Sequence, residues 1–244
     1  MRWIYLSPHL DDAVFSAGGP IYEQTRTGLS VEIWTFMCGF VSESEVSPFA
    51  QLIHTQWGFS SAQETIRLRR EEDRRAAALL GAEPVHFDFP DCIYRRGPDG
   101  EWLYSAVFIP PHPADAQIPA EIAQTLSAHL QPEDVLVCPL GLGSHVDHVL
   151  LRQGAEGLGR PLLYYPDIPY FFKNPEELGA KTAGMRAGLS AVTEAGLRRW
   201  QEAALEYKSQ ISTLGEPFDT SEKVRASLRA YVEEPGGARL FGTD

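Results

Sequence analysis

Short, continuously apolar runs alternate with longer amphipathic segments along this chain, and this alternation limits the fold more than any other feature. Strands are predicted at residues 3–6, 31–38, 85–89, 135–139 and 162–165. Helices are predicted at residues 12–27, 62–80 and 118–130, from 145 onward, and at 193–211 and 221–231. Strands that are apolar along their whole length are typical of parallel sheets covered by helices on both faces. We therefore predict an α/β fold with a mostly parallel sheet of this kind.

The chain shows no internal repeat or low-complexity tract, so a single domain spanning residues 1–244 is predicted. Residues 39–60 carry Gly, Ser and Pro among scattered aromatic residues and are predicted to form a loop. Residues 90–117 are predicted to be an irregular insertion, because they hold five prolines and two glycines. A loop of this length in a compact domain usually serves a function or an oligomer contact.

Composition excludes several classes of protein. The formal net charge of −12 argues against a nucleic-acid partner, since phosphate binding needs clustered Lys and Arg. Cys38, Cys92 and Cys138 are too widely spaced for a disulfide framework or a cysteine zinc site, which favours a reducing compartment. No segment approaches the ~18 apolar residues of a membrane helix, and no basic-then-apolar leader begins the chain. We expect a cytoplasmic protein that binds neither nucleic acid nor membrane.

The first polar motif, Pro8-His9-Leu10-Asp11-Asp12, directly follows the first predicted strand. Ligands of open parallel sheets bind outside the carboxyl ends of the strands, which is where this motif lies. His9 and Asp12 are three residues apart across a strand-to-helix turn, so their side chains can converge. An imidazole and a carboxylate suit zinc or another divalent transition metal. The alternative is that Asp11 and Asp12 only cap the following helix, whose dipole favours acidic residues.

The second motif, His145-Val146-Asp147-His148, follows the fourth predicted strand. Two histidines three apart share a helix face, which taken alone is often a surface feature. Together the two motifs hold three of the seven histidines within nine residues. Two histidines and one aspartate leave an open coordination position, as catalytic zinc sites do. The same ligand types serve non-haem iron oxygenases, so the residues alone leave the metal open.

These motifs resemble those of a known family, the PIG-L/LmbE-like zinc-dependent N-acetylglucosaminyl deacetylases. Residues 7–12 resemble its Ala-His-Pro-Asp-Asp signature, and residues 145–148 are similar to its His-x-Asp-His signature. Further matches to the family pattern are Gly18-Gly19, Arg69, Glu72, Ala76, Leu80-Gly81 and Ser209-Gln210. Three positions depart from it, Ala13, Gly143 and Tyr207, and these departures concern the substrate pocket. The resemblance implies a Rossmann-like fold.

The resemblance also implies roles for individual residues. His9, Asp12 and His148 would bind zinc, and Asp11 would be the general base. His145 would stabilise the oxyanion as a cation or as a hydrogen-bond donor.

Three further residues receive hypotheses at the sequence level. Arg69 looks like the substrate-binding arginine of the family, the alternative being an ion pair with Glu72 on a solvated helix face. Asp91, after the third strand, is placed to accept sugar hydroxyls. Asp147 is hypothesised to orient His145, the alternative being a solvated helix residue.

The implied activity is removal of an N-acetyl group from an N-acetylglucosamine-bearing small molecule or glycoconjugate. The implied cofactor is Zn²⁺, or another divalent transition metal, and homo-oligomers are common in the family. Three alternatives remain open: a hydrolase of another amide, a non-haem iron oxygenase, and an inactive metal-binding or sugar-binding protein. Asp11 argues against the last, because a binding protein has no use for a base beside the metal.

Overall fold

A computed structural model describes residues 1–42, 46–234 and 236–243 of the chain. Seven strands are found in this described part: β1 Arg2–Ser7, β2 Ser30–Thr35, β3 Glu83–His86, β4 Val135–Pro139, β5 Leu163–Tyr165, β6 Arg186–Ser190 and β7 Ala238–Gly242. They form one sheet in the order β3-β2-β1-β4-β5-β7-β6. The first five strands of that order are parallel, with Tyr5 opposite both Ile33 and Val137. Strand β7 is antiparallel to β5 and β6.

Helices cover both faces of this sheet. They are α1 Asp12–Arg26, α2 Pro48–Gln56, α3 Ala62–Leu80, α4 Ile118–His129, α5 Val146–Glu156, α6 Tyr170–Lys173, α7 Glu177–Lys181, α8 Glu194–Ala204, α9 Lys208–Ile211 and α10 Ser221–Glu233. Short 3-10 helices lie at Cys92–Tyr94, Pro113–Asp115 and Leu142–Ser144.

Two apolar cores lie on opposite faces of the sheet. Ile4 and Leu6 of β1 pack into one core with α4 and α5, whereas Tyr5 packs into the other with α1, α8 and α10. Successive side chains of a strand point to opposite faces, so a strand buried in both cores must be apolar throughout. This confirms the predicted fold class, a mostly parallel sheet covered on both faces.

Helix α3 agrees with its prediction at both ends. The Ser61 side chain accepts a hydrogen bond from the backbone of Glu64, which caps the N-terminus. Gly81 follows the last residue with φ of 73°, a left-handed conformation that glycine adopts without strain.

Two local predictions are wrong. The predicted loop at 39–60 contains α2, whose N-terminus is capped by the Ser47 side chain and followed by Pro48 in the first turn. The helix predicted at 193–211 is interrupted, because α8 ends at Ala204 and α9 begins at Lys208. Between them Tyr207 leaves the helical conformation and donates a hydrogen bond to Asp73 Oδ1 at 2.7 Å.

Strands β6 and β7 were not predicted. Most of β6 is exposed at the sheet edge and therefore lacks the apolar run that marks the inner strands.

No helix within residues 1–42, 46–234 and 236–243 is long and apolar enough to cross a membrane. The three cysteines all lie in these ranges as buried free thiols.

Candidate active site

The strand order creates a crevice between β1 and β4. From β1 the chain proceeds outward to β2 and β3, then returns to β4 on the other side of β1. Such a switch point separates the loops that follow the two neighbouring strands, and ligands of parallel sheets bind there. The first motif follows β1 and the second follows β4, so the topology brings them together at one edge of the sheet.

Three candidate ligand atoms surround one point in this crevice. His9 Nδ1 lies 3.2 Å from Asp12 Oδ2, and His148 Nε2 lies 3.3 Å from the same oxygen. The ring centroids of His9 and His148 are 5.5 Å apart. Ligands of one tetrahedral zinc ion, with bonds of ~2.0–2.3 Å, are separated by about 3.3–3.8 Å. The two distances to Asp12 Oδ2 are therefore close to those between ligands of one cation, and His9 and His148 have ring nitrogens within 4.8 Å of each other.

The second nitrogen of each histidine contacts a carboxylate. His9 Nε2 lies 3.0 Å from Asp147 Oδ2, and His148 Nδ1 lies 2.6 Å from Asp167 Oδ1. A carboxylate at one ring nitrogen favours a proton there, which leaves the lone pair on the other nitrogen for a metal. His148 Nε2 is buried and makes no hydrogen bond to any described residue. A buried nitrogen without a hydrogen bond costs about 1–3 kcal/mol, and a cation bound at this nitrogen would remove that cost. The residues present therefore fit a divalent cation.

The hypothesis that the Asp147 carboxylate orients His145 is wrong. The backbone N–H of Asp147, not its side chain, donates to His145 Nδ1 at 3.2 Å. The carboxylate instead contacts His9, the backbone N–H of Cys92 and the guanidinium of Arg95. Asp147 is fully buried, so the alternative of a solvated helix residue is also wrong.

His145 lies beside the other two rings, with centroids 4.8 Å from His9 and 5.2 Å from His148. Burial is the main cause that holds the pKa of His145 well below its usual range, and the neighbouring imidazoles of His9 and His148 act in the same direction. Because Nδ1 accepts from the backbone, the neutral ring carries its proton on Nε2. His145 is thus arranged as a neutral hydrogen-bond donor.

Asp11 lies next to the candidate ligands and contacts Arg69. The Arg69 guanidinium is 3.3 Å from Asp11 Oδ2 and stacks 4.5 Å from the ring centre of Trp57. Burial and the neighbouring Asp12 carboxylate raise the pKa of Asp11 to about 7, against the opposing effect of Arg69. Asp11 makes no side-chain capping hydrogen bond to α1, which removes support for the capping alternative.

Arg69 does not form the alternative ion pair with Glu72. The Glu72 carboxylate accepts hydrogen bonds from the backbone and the hydroxyl of Ser209, at 3.0 and 2.6 Å. Arg69 is buried, with a relative exposure of 7%, and its guanidinium faces Asp11. Glu72 of α3 and Ser209 of α9, which both match the family pattern, are therefore hydrogen-bonded to each other.

A cavity of about 280 Å³ lies over the candidate ligands. Its polar lining comes from the following side chains: His9, Asp11, Asp12, Gln56, Arg69, Asp91, His145, Gln210 and Thr213. Apolar and aromatic side chains line the rest, among them Trp57, Phe108 and Tyr170. Asp91 also lines the cavity, and its Oδ1 accepts a hydrogen bond from the backbone of Ile93. The predicted 90–117 insertion supplies part of the wall through Ile93, Val107 and Phe108.

Sequence reasoning missed four residues of the site: Trp57, Arg95, Asp167 and Tyr170. Asp167 follows β5 as His9 follows β1, so its position at a strand end was a usable signal. Tyr170 explains the departure at Gly143, because a Cβ there would come within 3.0 Å of the Tyr170 ring.

Comparison with known proteins places this arrangement in a family. The model of the PIG-L family, described as GlcNAc-PI de-N-acetylase, matches residues 4–157. The chain belongs to this family. The PIG-L match begins in β1 and extends through both motifs to the end of α5.

Relatives of known description agree with the PIG-L assignment. The chain is 26% identical over 237 residues to 2'-N-acetylparomamine deacetylase of Niallia circulans, covering 89% of this chain and 84% of that relative. A solved structure of teicoplanin deacetylase in a zinc-inhibited form has a TM-score of 0.83 and 27% identity, covering 99% of this chain and 97% of that one. The structure of the A40926 pseudoaglycone deacetylase has a TM-score of 0.71 and 27% identity, covering 99% and 95%.

Proposed function

We propose that this PIG-L family member is a metal-dependent N-deacetylase acting on the N-acetylated amino sugar of a small molecule or glycoconjugate. The observation that carries the proposal is the convergence of His9, Asp12 and His148 on one point beside Asp11 and His145. The described activities of the relatives, on N-acetylparomamine and teicoplanin, support the substrate class.

The cation would be held by His9 Nδ1, Asp12 Oδ2 and His148 Nε2. His145 could offer a nitrogen to the same region, since all three histidines have ring nitrogens within 4.8 Å of one another. Its Nδ1, however, already accepts a backbone hydrogen bond, whereas Asp12 is within 3.3 Å of both other ligands. When bound, a divalent cation such as Zn²⁺ acidifies water and polarises an amide carbonyl.

Asp11 is the proposed general base and acid. Its carboxylate takes a proton from the attacking water and later delivers it to the departing amine. A carboxyl whose pKa is raised to about 7 is a better proton acceptor than an ordinary aspartate. The Arg69 contact fixes one oxygen of Asp11.

His145 is the proposed donor to the amide oxygen. That oxygen gains negative charge as water adds to the carbonyl, and a donor held in place stabilises it. A neutral ring protonated at Nε2 can donate without first acquiring a proton from solvent.

Substitution of His145 by Ala is expected to lower kcat by about 10²–10³-fold, the usual effect of removing one such donor. Metal content is expected to stay at the wild-type value, because His145 is not a proposed ligand. Metal analysis beside steady-state kinetics checks both. Loss of the metal from His145→Ala would move His145 into the ligand set and contradict the donor role.

The cavity lining supports a sugar substrate. Arg69 and Asp91 offer a donor and an acceptor for hydroxyl groups, and the faces of Trp57 and Phe108 can cover a sugar ring. The acid–base residue beside the ligands favours hydrolysis over iron oxygenase chemistry, although the ligand types suit both.

A substrate screen with chelation tests the proposal. The purified chain is incubated with N-acetylated amino sugars and aminoglycosides, and released amine is measured. We expect amine release that a chelator abolishes and that one equivalent of Zn²⁺, Co²⁺ or Mn²⁺ restores. Excess zinc is a separate arm, because one relative is described in a zinc-inhibited form. Consumption of O₂ with Fe²⁺ and an oxo-acid, in place of amine release, would contradict the proposal.

A further inference from the structure

Arg95 is a buried cation in the irregular segment between β3 and α4. It follows the 3-10 helix Cys92–Tyr94, and its side chain is only 4% exposed. Its Nε lies 3.1 Å from Asp115 Oδ2, and its NH2 group contacts Asp147 Oδ1. The guanidinium also stacks over the Tyr104 ring, 5.3 Å from the ring centre. The guanidinium is therefore hydrogen-bonded to Asp147, ion-paired with Asp115 without a hydrogen bond from Nε, and covered by one aromatic ring.

Asp147 connects Arg95 to the candidate ligand His9. Its Oδ1 is occupied by Arg95, while its Oδ2 accepts from the backbone of Cys92 and lies 3.0 Å from His9 Nε2. The Asp147 carboxylate is placed to accept a proton from His9 Nε2, which leaves His9 Nδ1 facing Asp12.

Asp115, the second carboxylate beside Arg95, is held by Tyr104 of the same irregular segment. The Tyr104 hydroxyl donates to Asp115 Oδ2 at 2.6 Å and accepts from the backbone of His112 at 2.8 Å. Asp115 is itself buried, with 3% exposure. Asp115 and Tyr104, two residues of the insertion, therefore both contact Arg95.

We propose that Arg95 is a positioning residue, which acts through Asp147 to fix the His9 ring with Nδ1 directed into the metal site. The insertion at 90–117 then has a role beyond lining the cleft, since it pre-orients one ligand. The inference rests on the proposed function, because it concerns the same metal site. A planar guanidinium can bridge two carboxylates at once, which the compact ammonium of lysine does less well.

Arg95→Lys tests the proposal, with Arg2→Lys as matched control. Arg2 also lies between two carboxylates, Glu32 at 3.0 Å and Asp134 at 2.6 Å, and stacks over Trp34 at 5.7 Å. It belongs to the other end of β1, away from His9. The metal-free full-length chains are titrated with Zn²⁺ in competition with a chromophoric chelator, and the Co²⁺-loaded proteins are compared by their visible absorption spectra.

For Arg95→Lys we expect metal affinity to fall by about 10–100-fold, as for other residues that orient metal ligands. The Co²⁺ spectrum is expected to shift, and kcat at saturating metal to fall with little change in KM. Arg2→Lys is expected to keep the wild-type affinity, spectrum and kcat. An Arg95→Lys protein with wild-type affinity and spectrum would overturn the inference and leave Arg95 a structural residue.

Asp115→Asn covers the case in which Arg95→Lys does not fold. This change weakens the contacts of Asp115 with Arg95 and with the Tyr104 hydroxyl, and it leaves the contact of Arg95 with Asp147. A smaller loss of metal affinity in the same direction supports the proposal, and wild-type affinity overturns it. If the wild-type chain binds no metal, the proposed function fails together with this inference. If the wild-type chain binds metal and both variants match it, the inference alone fails.

Discussion

Asp11→Asn is expected to retain near-normal metal content while kcat falls by about 10²–10⁴-fold, the usual contribution of a positioned base. Asparagine keeps the shape of the side chain and can still accept the Arg69 hydrogen bond. It lacks a basic oxygen at neutral pH. A protonated carboxyl cannot accept a proton, so the activity of the wild-type protein should fall as pH is lowered and Asp11 is protonated. This fall on the acidic side of the pH–rate profile should be absent in Asp11→Asn.

The neighbouring change Asp12→Asn distinguishes a base from a ligand. A neutral amide is a poor zinc ligand, so Asp12→Asn should lose metal, whereas Asp11→Asn should not. Asp88→Asn is a control, because Asp88 is an exposed aspartate paired with Arg70. If Asp11→Asn empties the site while Asp12→Asn keeps the ion, the two roles are reversed. If Asp11→Asn leaves kcat unchanged, the base lies elsewhere, and His145 becomes the candidate.

His148→Ala is expected to lose metal and activity together. The substitution removes one of three proposed ligands and leaves the buried Asp167 carboxylate with the backbone N–H of Leu142 but no imidazole. Metal analysis after gel filtration and an amine-release assay on the same sample measure the two quantities. Activity should fall to the level of the chelator-treated wild-type protein.

His129→Ala is the matched control for this loss. His129 is exposed at the end of α4, and its Nδ1 lies 2.8 Å from the Thr125 carbonyl oxygen. Its removal should change neither metal content nor activity. Full metal occupancy in His148→Ala would remove His148 from the ligand set.

The sequence predicted the parallel core of the fold because burial on both faces leaves a readable apolar run, as at Ile4-Tyr5-Leu6. The edge strand β6 has no such run, since most of its residues are exposed. Helix α2 was missed although Ser47 and Pro48 form an N-terminal signal, because the surrounding glycines and aromatics suggested a loop. The break at Tyr207 depends on a hydrogen bond to Asp73 from another helix, which no local pattern encodes.

The candidate site, like the fold, could be predicted only in part from the sequence. His9, Asp12 and His148 could be predicted to converge because each follows the carboxyl end of a parallel strand. The carboxylates that contact the second ring nitrogens of His9 and His148 could not both be predicted from the sequence. The Asp147 carboxylate contacts His9 and the buried Arg95, whereas His145 is bonded only by the backbone N–H of Asp147. Such contacts join residues far apart in sequence, and only the folded chain brings them together.

The most direct test of a metal-dependent deacetylase is a titration of the metal-free protein with Zn²⁺ while amine release from an N-acetylated amino sugar is measured. We expect no turnover without metal and a linear rise that ends at one equivalent per chain. We expect no rise in His148→Ala over the same range. Full turnover by the metal-free wild-type protein would contradict metal dependence.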